Sequence, residues 1–293
     1  MKVLNCIILW ILFSTTGILA QATGYTTNTE KLYTALYNNH FKTADTIVKQ
    51  SLTLKSTQMQ VSLINYYWWK IISGEHTIEN TNAIARHIAV IETEIENKKI
   101  ISNSELSSLL LAKIFKIRYM LHNKSTLSAI NSVLSLKKYC IMLIENYHNN
   151  EQLSLLAGAY LYLIEELKVK NPVLIPLLAL YPKGNRKQAI QLLQNGTKSD
   201  NIIIKNEANY ILMKIYYNFE NNYNQAEKHA SYLVTQYPDN LIYGIEYYKI
   251  IKQNGKLIIA HEQKKRIENK IHNLNQLSNI QKKHFSQIMK QIN

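Results

Sequence analysis

The sequence predicts an all-α protein, an α-solenoid of stacked antiparallel helical hairpins with about eleven to thirteen helices. Three observations predict it. Apolar residues recur at spacings of three and four along almost the whole chain, with no convincing strand-and-turn alternation. Gly and Pro are scarce, eight and four in 293 residues, and no Gly/Ser linker interrupts the pattern. Residues 207–240 form one helix–turn–helix unit, and such a unit cannot bury its apolar face alone, so it needs stacked neighbours.

The elements follow in order. Residues 1–22 read as a secretory signal peptide. Lys2 supplies the positive end and Val3 to Phe13 an apolar run too short to span a bilayer comfortably, with cleavage after Ala20 or Ala22 and a retained anchor as the alternative. Residues 23–170 form a divergent helical-hairpin region. It opens with helices over Thr29–Tyr37 and Phe41–Leu52 around Asn38-Asn39, followed by Thr57–Ser73 closed by Gly74. Thr77–Asn97 carries the stripe Ile84, Ile88, Ile91 and Ile95; Ser104–Leu121, Thr126–Tyr147 and Gln152–Lys170 continue the series. Asn171-Pro172 breaks the chain and opens a repeat region over 171–255. It begins with a short apolar helix from Pro172 to Leu180 and a turn at Tyr181–Asn185. Arg186–Asn195 follows, with Gly196 placed where a left-handed cap is wanted. After residues 207–240 come Leu241–Asn254, the Asn254-Gly255 stop, and two basic capping helices over 256–293.

Within residues 207–240, Tyr210, Met213 and Tyr217 share one face of a first helix. Tyr223, Ala226, Ala230, Leu233 and Pro238 mark a second helix and its stop. This spacing resembles the 34-residue tetratricopeptide repeat. Tyr181–Asn254 as a whole is similar to the repeat region of bacterial envelope tetratricopeptide proteins, and Phe41 and Ala44 give a weaker match. Tyr210, Lys214 and Leu233 depart from the family's usual residues at their positions. The resemblance implies a right-handed superhelix, protein or peptide binding on a concave face, and no shared catalytic residues. That face is expected to include Asn209, Lys214 and Asn218, joined by Tyr243 and Tyr247.

Composition narrows the function classes. The formal charge is +14, yet Lys far outnumbers Arg, which weighs against bidentate base reading and hence against a nucleic-acid partner. With the signal removed, Cys140 is the one remaining cysteine; its apolar helical setting predicts a buried, inert thiol and no disulfide framework. No transmembrane helix follows the signal. No zinc or phosphate-loop motif occurs, and Glu145/His148 is half of a paired metal motif. The expectation is therefore no cofactor, no metal and no catalytic residue, with Glu92, Glu94, Glu96, Glu165 and Glu166 read as solvated helix faces.

Tyr66-Tyr67-Trp68-Trp69 is the one aromatic constellation. Consecutive helical residues turn about 100° each, so four rings cover more than one face. Core packing is the favoured reading, and a platform for stacking on a glycan is the alternative. The basic tail (Lys264, Lys265, Arg266, Lys270, Lys282, Lys283) sets Ile267, Ile271 and Leu274 on its other face. A docked cap is favoured over contact with an anionic surface. The resulting expectation is an exported, periplasmic or secreted, non-enzymatic scaffold or assembly factor of the bacterial envelope that binds a protein or peptide. A carbohydrate-binding protein is the alternative.

Overall fold

The computed structural model describes residues 27–51, 56–123, 125–170 and 172–292. The predicted signal peptide lies outside the described residues. Among those residues the chain is all-α: fifteen α-helices, two short 3-10 segments and no strand. Helices pack mainly on their neighbours in sequence, as a solenoid-like fold requires. The described residues group into two compact units, one of residues 56–64 and 85–211, the other of residues 27–51, 65–84 and 212–292.

The helices are α1 (Thr27–Tyr37), α2 (Phe41–Ser51), α3 (Thr57–Ile72), α4 (Ile78–Ile95), α5 (Asn103–His122), α6 (Thr126–Leu134), α7 (Lys137–Asn146) and α8 (Glu151–Lys170). They continue as α9 (Ile175–Leu178), α10 (Arg186–Gly196), α11 (Ile202–Asn218), α12 (Tyr223–Gln236), α13 (Leu241–Gln253), α14 (Leu257–Asn273) and α15 (Asn279–Gln291). The helix number exceeds the sequence expectation partly because the stretch from Thr126 to Tyr147 divides. At its middle the Leu136 N–H bonds the Val133 carbonyl, the Ser135 hydroxyl bonds the Ser132 carbonyl, and Leu136 turns into the core.

The first unit is built around α5 and α8. Leu106, Leu109, Leu111 and Phe115 of α5, and Leu153, Ala157, Leu161 and Ile164 of α8, are buried. Ser102 and Glu105 form a reciprocal capping box at the start of α5. A charge-assisted bond from Lys98, with those from Ser102, holds the Glu105 carboxyl down at about 2. The α8–α10 pair packs closely because two glycines permit it. A Cβ on Gly158 would stand 3.0 Å from Leu193 Cγ, and one on Gly184 would stand 2.3 Å from Ile164 Cγ2 and 2.7 Å from the Leu161 carbonyl oxygen. Inside this unit Lys113 lies almost buried between Glu92 and Glu96, and Arg118 lies buried, its guanidinium over the Phe115 ring.

The second unit has an aromatic centre. Tyr37 and Tyr243 meet the Trp69 indole edge-on at 6.2 and 6.0 Å, and Tyr237 sits 5.2 Å from Tyr37. The turn between α1 and α2 depends on Asn39, whose φ of 56° lies in the left-handed region an asparagine tolerates. Its Oδ1 accepts the Leu241 N–H at 2.7 Å, while Asn240 Nδ2 donates to the Tyr37 carbonyl at 2.8 Å. In residues 223–238, Ala226, Ala230 and Leu233 are buried as the repeat spacing predicts, and α12 ends two residues before Pro238. Helices α13, α14 and α15 pack in succession. Ile267 and Ile271 of α14 and Phe285 and Met289 of α15 are buried, so the basic tail docks through its apolar face.

Candidate functional site

The first unit holds a half-enclosed cavity of about 340 Å³ lined by His148, Asn149, Asn150, Glu151, Asn195 and Ser199 above a floor of Leu155, Leu192 and Ile204. Three pieces of local geometry shape it. Asn150 precedes α8, and its Oδ1 accepts the Leu153 N–H at 2.9 Å in N-cap fashion. Ser154 donates to the Tyr147 carbonyl at 2.8 Å, pinning the 3-10 turn against the helix start, and the His148 ring lies 3.9 Å from that of Tyr147. Opposite, α10 runs out at Gly196, and the chain turns through Ser199 and Asn201 into α11. The Ser199 hydroxyl donates to Glu151 Oε2 at 2.8 Å and so ties the two walls together.

Gly196 has no left-handed conformation; positive φ among the described glycines belongs to Gly74 and Gly255. The cap expected there is replaced by a packing role, since a Cβ on Gly196 would meet Ala208 Cβ at 2.9 Å. Chemically the cavity offers side-chain amides, each presenting both a donor and an acceptor, beside an apolar floor. That combination matches a peptide group and a neighbouring aliphatic side chain. A second, shallower groove in the other unit is lined by Glu30, Lys31, Thr34, His40, Thr43 and Ile47.

The residues singled out from the sequence stand elsewhere. Trp68 and Trp69 are buried, and so is Tyr66, whose hydroxyl donates to Asp45 Oδ1 at 2.6 Å; of the four rings only Tyr67 is half-buried. Burial, reinforced by Asp45, pushes the Tyr66 hydroxyl above its usual range. The aromatic run therefore presents no exposed indole for stacking on a glycan. Asn209 is buried and bonds the Lys205 carbonyl of its own helix, and Asn218 likewise bonds the Lys214 carbonyl. Lys214 pairs with Glu246 at 2.5 Å. Tyr243 is 1 % exposed and Tyr247 half-buried. None of these residues lines either concavity. The physical reason is helix geometry: Asn209 and Asn218 turn back onto their own helix, and Tyr243 turns inward to the Trp69 cluster.

Three of the carboxylates that carry a catalytic reading, Glu92, Glu165 and Glu166, are engaged as structural partners, and Glu166 is buried instead of lying on the solvated face expected of it. Glu92 pairs with Lys113 and Lys116, Glu165 with Lys168, and Glu166 with Lys170 and Arg186. Among the described residues no group of three or more His, Cys, Asp or Glu side chains is placed to hold a metal ion, and no helix is long and apolar enough to cross a membrane. Cys140 is buried, and burial pushes its thiol up to about 12, far from the reactive thiolate range. No family model, curated protein or solved structure matches this chain.

Proposed function

We propose that this chain is a non-catalytic, exported helical-repeat protein that captures a peptide segment of a partner protein in the bacterial envelope, as a scaffold or assembly factor. The observation that carries the reading is the asparagine-rimmed cavity between the start of α8 and the end of α10. It is concave, it pairs amide side chains with an apolar floor, and its walls are held in place by the Ser199–Glu151 bond. Helical hairpins suit this work because a rigid stack presents short turns and helix ends at fixed positions. The tetratricopeptide-like spacing of residues 207–240 and the apolar run at Val3–Phe13 support the class and the address.

The test is site-specific photocrosslinking in the native host, with a photoreactive amino acid at Asn149 or Asn195 and at the exposed control position Lys99. The expected result is one protein adduct at Asn149 and Asn195, absent at Lys99, whose crosslinked peptide maps to a single segment of the partner. Adducts to polysaccharide alone, or equal labelling at all three positions, overturn the reading.

A further inference from the structure

The stretch from Pro172 to Tyr181 carries no charged or hydrogen-bonding side chain before the Tyr181 hydroxyl, yet it lies on the surface of the first unit. Leu178 alone is buried, at 7 % exposure, and anchors the segment. Val173, Ile175 and Leu180 are exposed at 82, 47 and 57 %, and Val169 just before them at 67 %. Pro172, Pro176 and Ala179 are exposed as well. The Tyr181 hydroxyl donates to the Val133 and Leu134 carbonyls, which holds the segment beside the end of α6, where Leu134 is also exposed. Surface aliphatics scattered singly need no explanation, but a contiguous patch of this kind marks an interaction surface.

We propose that residues 172–181 insert into the interfacial layer of an anionic lipid bilayer. Three features select lipid over a protein partner. Val173, Ile175 and Leu180 are too exposed to line a groove, while Leu174 and Leu177 are half-buried. It offers no side-chain hydrogen bonds from Pro172 to Leu180, whereas protein interfaces ring their apolar centre with polar contacts. Its flanks are basic: between Leu167 and Lys187 the chain has Lys168, Lys170, Lys183, Arg186 and Lys187 and no acidic residue. Lys168 is paired with Glu165, and Lys170 and Arg186 with Glu166, so the rim charge rests on the exposed Lys183 and Lys187. An apolar tip with a cationic rim is complementary to acyl chains beneath anionic headgroups. The segment is far short of the roughly 20 residues a spanning helix needs, so it lies in one leaflet.

The test uses residues 23–293, so that the apolar run at Val3–Phe13 cannot itself bind lipid, and leaves buried Cys140 in place. An environment-sensitive fluorophore is attached at Val173→Cys and, as control, at the exposed Gln194→Cys. With phosphatidylglycerol vesicles the probe at 173 shifts to the blue and the probe at 194 does not; pure phosphatidylcholine gives a much smaller shift. Unlabelled Val173→Asp/Ile175→Asp binds phosphatidylglycerol vesicles at least about tenfold more weakly with an unchanged thermal transition. Lys183→Glu/Lys187→Glu loses binding in proportion to the anionic lipid content. The proposal is overturned if the probe at 173 is unmoved by vesicles. It is also overturned if the probe shifts with protein concentration alone, which assigns the patch to a second copy, or if the double aspartate variant binds as wild type.

Discussion

Lys214 shows how one residue changes meaning between pattern and packing. The sequence pattern alone predicts it on an exposed ligand face, yet its ammonium pairs with Glu246, which also receives Lys249 at 3.0 Å. Burial acts to raise the Glu246 carboxyl, but Lys214 and Lys249 outweigh it and hold it at about 2. Removing one partner of such a pair costs more than the pair contributes, because the remaining charge stays buried. Lys214→Met is therefore expected to destabilise the protein by about 2–3 kcal/mol, Lys249 limiting the loss. Urea unfolding checks this. The double variant Lys214→Met/Glu246→Gln should recover most of it, and an unchanged midpoint in Lys214→Met would remove the pair from the core account.

At the scale of elements, helix positions were legible and the reasons for their close approach were not. The stripe Ile84, Ile88, Ile91 and Ile95 is buried along α4, as its periodicity predicts. Gly184 reads in the sequence as a turn glycine; in the fold it also admits the chain against α8 at the Leu161 carbonyl. Two glycine variants separate the causes. Gly184→Ala drives a methyl into Ile164 and backbone oxygen and is expected to cost about 2–3 kcal/mol. Gly255→Ala meets nothing within 4 Å, so only its φ of +76° opposes it, at about 1 kcal/mol. Thermal unfolding of the pair measures the difference; equal losses would sink the packing explanation. The cavity was illegible for a related reason: Asn149 and Asn150 read as a turn and Asn195-Gly196 as a helix end, with some 45 residues between them.

For the whole molecule, stability is expected to fall on the acid side in two windows. The His87 Nδ1–H donates to Gln60 Oε1 at 2.7 Å, and His229 stacks on Tyr216; burial, aided by Arg86 and Lys228 respectively, lowers each imidazole to about 4. In the unfolded chain an imidazole takes its proton near 6.5. The unfolded state therefore binds more protons below that pH, and stability present above 6.5 is lost as pH falls towards 4, on the order of 2–3 kcal/mol per histidine. The depressed carboxyls of Glu105 and Glu246 act next: their contribution is present above about 4.5 and is lost as pH falls to about 2. Thermal transitions measured from pH 7.5 to 3 should decline first between 6.5 and 4. The pair His87→Leu and His229→Phe should flatten that first limb, and a limb left unchanged would exclude these histidines as its cause.

Helix class, most helix boundaries, the inert Cys140 and the buried Ala226–Ala230–Leu233 stripe could be read from the chain, because each depends on periodicity within a few residues. Which of several exposed-looking groups remain available to a ligand could not. Tyr66 is held by Asp45, Trp69 by Tyr37 and Tyr243, and Lys214 by Glu246, all partners distant in sequence. The same holds for the cavity rim at Asn149 and Asn195 and for the bare aliphatic surface at Val173–Leu180. A helix face is set by local turn geometry, whereas burial is set by what packs against it, and that is a property of the folded chain.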